Sequence, residues 1–501
     1  MNGKKIRRRI ILTAAAVIAA AAGICGILYI LSRKGIILPR WIRWESRIIS
    51  DSGNNYEITL EDRVIRVNRG GLEIWSSPEG VKVQDVLSCD IDNDGEDELI
   101  LLCWKRGRYG KYRPIWVEED EKNWSQHIFV YEYADGEIRP KWMSSYIGQD
   151  VAVMSYNGKK APHCRLLLTE PDGKVNCWIW DSWGFSRLEM EVSFVAFGDN
   201  LIHEPIYRYG LNHGGSFAYL YENFKEIIKE SDIAVINQET PLVDDPNLYG
   251  DYPRFGTPAE VGQAIADAGF TIVTCATNHA LDRGSCGVDF TKSFLEARGI
   301  KCLGIQTGEE KDYIPYEIIA RNGIRFALLN YTFGTNGMPL PEENPHMVHL
   351  LEDEDRIRAD IEQAREDADF VLVFAHWGTE ETSEPDSFQK RWAEVFLDCG
   401  TDVVVGTHPH ALQPCEILED EKGHRMLIYY SLGNFISAQS VKECTRGGMA
   451  SFTVSLTAEG LRVTEYSLQP LTIRWHEGGK FMTEVSESPI PAEAPPPCSE
   501  W

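Results

Sequence analysis

The sequence predicts an α/β layered domain, preceded by a β-rich domain and by an apolar helix at the front of the chain. Three observations carry that division. From Glu191 onward, short apolar runs alternate with amphipathic stretches, the signature of layered strands and helices. Between Pro39 and about Leu188, brief runs of β-formers and aromatics end at Gly-containing turns. Ahead of both, an uncharged stretch from Ile10 to Leu31 is bracketed by basic residues.

The front segment accounts for an uneven charge. The 501 residues carry 50 Lys+Arg and 76 Asp+Glu, a net charge of −26. Residues 1–35 hold seven basic residues and no acidic one, which leaves −33 on the rest. An apolar helix of this length crosses a ~30 Å hydrocarbon core and exceeds the apolar region of a cleavable signal peptide. Lys4, Lys5, Arg7, Arg8 and Arg9 would stay in the cytoplasm under the positive-inside tendency. Residues 1–35 are therefore expected to be a basic head and signal anchor, making a single-pass cell-membrane protein with its bulk extracytoplasmic. The acidic balance argues against nucleic acid as a partner. Twelve cysteines show no CxxC spacing, which argues against a zinc ribbon. Cys275 and Cys302 fall in apolar runs and read as core residues, with disulfide formation left open.

Residues 36–190 form the expected β-rich domain. Leu72–Trp75, Ile128–Tyr131 and Cys177–Trp180 recur about every 50 residues, consistent with a partial propeller or with a sandwich. Within it, Asp90, Asp92, Asp94 and Glu98 occupy positions 1, 3, 5 and 9 of a loop with Gly95 at position 6. That spacing suits a calcium-type oxygen cage and resembles the loops of FG-GAP repeats; the alternative is an acidic turn between strands.

Residues 191–475 carry five strand-like runs: Phe194–Phe197, Ile233–Ile236, Ile272–Ala276, Phe370–Ala375 and Val403–Val405. Helix-like stretches are Phe217–Glu230, Pro258–Ala268, Gly287–Arg298, Asp353–Asp367 and Ser387–Cys399. Thr257-Pro258-Ala259-Glu260 reads as an N-cap followed by Pro at N1 and Glu at N3. Arg321-Asn322-Gly323 and Ala458-Glu459-Gly460 read as hairpin turns. The Pro-rich tail, 476–501, is expected to be disordered.

Each strand-like run hands over to polar residues: Asp199, Glu239, Asn278 with His279, His376, and His408 with His410. In α/β sheets such strand ends face the ligand crevice. Two carboxylates, an amide and three imidazoles suit Zn, Mn or Fe better than Mg. Glu239 could bridge two ions about 3.5–4 Å apart. His213, His346 and His349 lack a strand-end context and read as surface residues. The acidic run Glu352–Glu366 reads as a solvated helix face.

From about Val192 to Leu471 the chain resembles the CapA family of capsule or poly-γ-glutamate synthesis proteins, a divergent calcineurin-like metallophosphoesterase-type domain. The matching words are Gly198-Asp199, Asn237-Gln238-Glu239-Thr240, Thr277-Asn278-His279 with Asp282, His376-Trp377-Gly378-Thr379-Glu380, Gly406-Thr407-His408-Pro409-His410 with Gln413, and Tyr430-Ser431-Leu432-Gly433-Asn434-Phe435. The resemblance implies that Asp199 and His410 hold one divalent ion, Asn278, His376 and His408 a second, and Glu239 both. It makes His279 the acid that protonates a leaving group, with Asp282 either orienting that imidazole or capping the next helix. Arg254, Tyr430 and Asn434 are candidate substrate residues. One departure stands out: the family's phosphoesterase kin place a histidine two residues after the first aspartate, where this chain has Leu201, unless His203 or Glu204 substitutes.

The expected function is envelope-linked: processing or synthesis of an anionic polymer or a phosphoester by metal-dependent hydrolysis, alongside other capsule-synthesis membrane components. The competing readings are a non-catalytic polymer-binding or export accessory protein, and a pure binding module built on the β-rich half.

Overall fold

The computed structural model describes residues 21–51, 56–107, 122–134, 136–144, 146–157, 164–457, 460–476 and 478–486. It divides into two compact units, residues 1–189 and 190–501. The first part of the expected membrane segment, residues 1–20, lies outside the described residues. Its remainder is an exposed helix, α1, over 21–33. Among the described residues no helix is long and apolar enough to cross a membrane.

The first unit holds three consecutive four-stranded antiparallel sheets. They comprise β1 (Arg47–Asp51), β2 (Tyr56–Glu61), β3 (Val64–Arg69) and β4 (Leu72–Ser76); β5 (Lys82–Cys89), β6 (Glu98–Lys105), β7 (Ser125–Ala134) and β8 (Glu137–Met143); and β9 (Val153–Asn157), β10 (Arg165–Thr169), β11 (Val175–Asp181) and β12 (Gly184–Leu188). Alternation along the middle sheet explains the stacking. Leu99, Leu101 and Cys103 pack with Ile58, Ile65 and Val67 of the first sheet. Ile100 and Leu102 point the other way, to Met154, Leu166 and Leu168 of the third. A strand buried on both faces reads as continuous hydrophobicity, which is why Glu98–Lys105 shows little period in sequence.

The acidic loop lies between β5 and β6. Asp90, Asp92 and Asp94 come together, each with a carboxylate oxygen within 4.8 Å of the others. A lysine from β8 also reaches into this loop. Lys141 Nζ lies 2.5 Å from Asp92 Oδ2 and 2.6 Å from the buried Glu98 Oε1, with Asp94 Oδ2 at 3.7 Å. Asp90 accepts from the backbone amides of Asp94 and Gly95, and Glu98 Oε2 from that of Ile91.

The second unit is built on two mixed sheets. The first contains β13 (Glu191–Asn200), β14 (Ile233–Gln238), β17 (Ile272–Thr274) and β18 (Lys301–Leu303) in parallel; β15 (Leu242–Val243) and β16 (Thr257–Pro258) form a separate pair. The second contains β20 (Ile324–Thr332), β21 (Phe370–His376), β22 (Val403–Thr407) and β24 (Arg425–Tyr429) in parallel, edged by β19 (Glu317–Arg321) and β23 (Cys415–Glu419). β25 (Asn434–Ile436) joins β13, and β26 (Arg446–Thr457), β27 (Gly460–His476) and β28 (Lys480–Val485) extend the first sheet antiparallel.

Helices α2 (Glu204–Asn212), α3 (Lys225–Glu230), α4 (Ala259–Ala268) and α5 (Gly284–Glu296) cover the first sheet through Ile206, Ile228, Ile265 and Leu295. Helices α6 (Glu354–Asp367) and α7 (Ser387–Asp398) cover the second through Ile361 and Phe396. Between the sheets, Phe194 meets Phe326 edge-on at 5.1 Å and stacks on Phe452 at 4.6 Å. The period-2 alternation makes this possible: Phe194 faces inward while Val195 and Phe197 face the helices. The result is four layers, helix–sheet–sheet–helix.

Several local expectations are corrected. Phe217–Glu230 is two short 3₁₀ turns followed by α3, although Phe217, Leu220, Tyr221 and Phe224 bury at the spacing of one helix face. Thr257 does not cap α4; its hydroxyl pairs with Thr240 at 2.6 Å, and Pro258 stands at the N-cap. A full capping box forms instead at Asp386 and Gln389 of α7. The tail starts later than expected, since Lys480–Val485 pairs with β27 and buries Thr483. Its prolines lie outside the described residues. His349 is buried rather than exposed, with its pKa pushed down to about 3 by burial and by the charges of Lys292, Arg356 and His346.

Candidate metal centre

The polar strand ends meet where the two sheets meet. Asp199 is the penultimate residue of β13, Glu239 follows β14, and Asn278 and His279 follow β17, all in the first sheet. His376 ends β21, and His408 and His410 follow β22, both in the second. Asn330 of β20 ties the two edges together: its Oδ1 accepts from the amides of Cys275 and Ala276, and its Nδ2 donates to Phe374 O.

Two close approaches require glycine. A Cβ on Gly198 would lie 1.9 Å from Gly433 O, and one on Gly406 1.9 Å from Tyr430 O. Gly198 also sits at a break in the β13–β14 register, just before Asp199 turns into the site. His408 and His410 adopt φ of +95° and +58°, values uncommon for residues with a Cβ. Hydrogen bonds hold this conformation: His408 N–H donates to Asp199 Oδ2 at 3.3 Å, and Glu381 N–H to Pro409 O at 2.8 Å.

At the centre, Glu239 is fully buried and neither of its carboxylate oxygens has a hydrogen-bond partner. His376 Nε2 lies 3.8 Å from its Oε1 and His410 Nε2 3.6 Å. Two three-residue clusters share it, Asp199–Glu239–His410 and Glu239–His376–His408, each with ligand atoms within 4.8 Å of one another. Asn278 Oδ1 lies 2.8 Å from His376 Nε2, whose other nitrogen is 3.0 Å from Thr407 Oγ1. His408 Nδ1 is buried without a partner. A third cluster joins Glu380, exposed on the β21–α7 loop, to His408 and His410.

The electrostatics follow from burial. Burial pushes the Glu239 carboxyl well above its ordinary range; His410 opposes the rise, and Asp199, Glu380 and Asp282 add to it. Burial, then neighbouring imidazoles, hold His376 and His408 well below theirs, leaving them neutral with lone pairs available. For His410, burial is outweighed by Glu239 and Asp199, which push it up to about 10. A buried carboxyl group with no hydrogen-bond partner, beside the two neutral imidazoles of His376 and His408, is a donor set that fits a divalent cation.

His279 stands beside this centre. Its Nδ1 is 2.8 Å from Asp282 Oδ2, which also accepts from Phe255 N–H at 2.7 Å. The Phe255 ring meets the imidazole edge-on at 4.8 Å. Asp282 does not cap α5, whose N-cap is Arg283. Asn336, at φ +52°, links the two neighbours, with Oδ1 3.3 Å from Asn278 Nδ2 and Nδ2 3.4 Å from His279 Nδ1.

The substrate candidates fare differently. Tyr430 is corrected: its ring lies in the apolar layer under α6 and α7, and its hydroxyl donates to Glu416 at 2.8 Å. Asn434 is also corrected. It is fully buried, donates to Ser437, Gln439 and Cys444, and turns Oδ1 to within 3.1 Å of His410 Nδ1. That contact positions a candidate ligand. Arg254 is exposed and precedes Phe255, and its carbonyl accepts from Arg283 Nη2 at 3.0 Å. His203 belongs to none of the clusters, since its Nδ1 accepts from Ala438 N–H, and Glu204 pairs with Arg208. Sequence reasoning missed Glu380, Asn330 and Asn336 as site-shaping residues, and it singled out Asn434 for a substrate role rather than for its contact with His410. Only Glu380 left a signal, the acid that closes the His376–Glu380 word.

The family described as bacterial capsule synthesis protein PGA_cap matches residues 193–439. The chain is 28% identical over 288 residues to the capsule biosynthesis protein CapA of Bacillus anthracis, covering 54% of this chain and 66% of that protein. It is 30% identical over 229 residues to the PGA biosynthesis protein CapA of Bacillus subtilis, covering 44% and 57%. The match thus spans less than two thirds of each relative's length. Similar solved structures include the NAD nucleotidase of Haemophilus influenzae, at TM-score 0.36 and 13% identity over 59% of this chain and 60% of that one. Another is the calcineurin-like phosphoesterase YfkN of Bacillus subtilis, at TM-score 0.33 and 13% identity over 56% and 90%. Through residues 193–439, this chain is thus similar to the CapA family of bacterial capsule-synthesis proteins.

Proposed function

We propose that the chain is a membrane-anchored, extracytoplasmic, metal-dependent hydrolase acting in the production or processing of a capsule-type anionic polymer. The observation that carries the metal reading is Glu239, a buried carboxylate without a partner between Asp199 with His410 and His376 with His408. Asp199, Glu239 and His410 would hold one divalent ion, and Glu239, Asn278, His376 and His408 a second. Such ions, when bound, supply positive charge that activates water and offsets charge developing on a phosphoryl or acyl oxygen. Asp282 fixes His279 through Nδ1, which leaves Nε2 to deliver a proton to a leaving group. Arg254, exposed and next in the chain to Phe255, would meet an anionic substrate that the −33 exterior otherwise repels. The uncharged run Ile10–Leu31 supports the anchor, and the family's naming supports the polymer.

The test is metal analysis of the purified protein, followed by hydrolysis of a chromogenic phosphodiester and of γ-glutamyl oligomers. Wild type should turn one of them over, and His279→Ala should lose about 10²–10⁴-fold. Turnover untouched by His279→Ala sinks that residue as the acid. Leu201, standing where a ligand is expected, favours the second reading: a metal-containing accessory protein that binds polymer without cleaving it. Bound metal with no turnover of either substrate would favour that reading.

A further inference from the structure

We propose that Glu380 is a ligand of the metal centre and makes good the donor missing at Leu201. The inference rests on the metal-dependent reading above and deepens it. Without Glu380, the Asp199–Glu239–His410 side offers three donors, and Leu201 is an apolar residue buried beside Asp199. The nearby alternatives are engaged, His203 with Ala438 N–H and Glu204 with Arg208.

Glu380 is not engaged. Among the described residues its carboxylate makes no hydrogen bond or ion pair, yet it lies in a cluster with His408 and His410. His408 Nδ1, buried in that cluster, has no partner either. An exposed acid facing two buried imidazoles is expected when the space between them is meant for a cation.

The loop that carries Glu380 is fixed. Gly378, at φ +94°, turns the chain against Gln389, where a Cβ would meet the amide at 2.6 Å. Thr379 Oγ1 donates to Asp386 Oδ2 at 2.7 Å, and Thr382 Oγ1 to Thr379 O at 2.8 Å. Gln413 Nε2 donates to the carbonyls of Thr382 and Glu384. Glu381 N–H on Pro409 O fastens the loop to the segment holding both histidines. Several side chains are thus spent on holding a loop whose acid, among the described residues, makes no hydrogen bond or ion pair. Because Glu380 is on the open side, it is also the ligand an incoming anionic group could displace.

The experiment compares Mn²⁺ binding by calorimetry, with bound metal counted after dialysis, for wild type, Glu380→Gln, Glu381→Gln and Glu239→Gln. Glu380→Gln should bind its weaker ion about 10- to 100-fold less tightly, in the range of lost metal-site support. Glu381→Gln should match wild type, and circular dichroism should show every variant folded. Glu380→Gln binding within twofold of wild type, while Glu239→Gln loses metal, overturns the Glu380 proposal alone. Wild type binding no more Mn²⁺ than Glu239→Gln overturns the metal reading and this proposal with it.

Discussion

Two places in this chain gather acids at cation-binding spacing, and they end in opposite states. In the Asp90–Glu98 loop, much of the charge is compensated from within: Lys141 supplies an ammonium to Asp92 and Glu98, and loop amides donate to Asp90, while Asp92 Oδ1 keeps no hydrogen-bond partner. In the α/β unit, Glu239 has no hydrogen-bond donor among the described residues. Carboxylate count therefore says little about metal binding. What matters is whether a buried negative charge has already found a proton donor or a cation in the protein.

The largest effect that sharpens this contrast belongs to Glu239. Glu239→Ala should cut divalent-metal affinity by about 10³-fold, roughly 4 kcal/mol, read by calorimetry. Retained wild-type affinity would place the ion elsewhere.

Next is Lys141. Lys141→Met strands the buried Glu98 charge and should destabilise the β-rich unit by about 3 kcal/mol. Millimolar calcium should restore part of that stability in the variant while leaving the wild-type melting temperature unmoved. A wild-type protein stabilised by calcium would break the comparison, since Lys141 would then not be the resident cation.

A third prediction concerns pH. His349 binds its proton far less readily in the folded state, at about 3, than an ordinary imidazole at 6.5. Its contribution to stability is complete above pH 6.5 and is lost as pH falls from 6.5 toward 3, because only the unfolded chain takes up the proton. Between pH 6.5 and 5 the loss is about 2 kcal/mol. In denaturant titrations, His349→Gln should flatten this slope relative to wild type; an identical slope would refute it.

The smallest expected effect is at Asp282. Asp282→Asn should lower turnover about tenfold with metal content unchanged, as loss of an orienting carboxylate does. A fall in bound metal would instead make Asp282 part of the ion's own support.

Much of the α/β unit was legible because it rests on local pattern. Phe194–Phe197, Ile233–Ile236, Phe370–Ala375 and Val403–Val405 all lie in strands, and the donors just after them do converge. The division into two sheets was not legible, since apolar runs do not say which neighbour a strand will pair with. Nor was Lys480–Val485, a short strand that needs β27 as its template. Tyr430 and Asn434 stand in one motif, yet one enters the helix-covered core and the other supports His410. Adjacent motif residues can face opposite sides of a sheet edge, and the motif alone does not tell which.

The sequence by itself determined the order of strands and helices, the donor types at the strand ends, and the charge split between residues 1–35 and the rest. These depend on hydrophobic period and composition, which are local. Only the tertiary structure decided which acids were already neutralised. Lys141 reaches Glu98 across 43 positions, and His410 reaches Asp199 across 211. Electrostatic compensation acts through space at a few ångströms, so no local pattern in the chain records whether an acid has its partner.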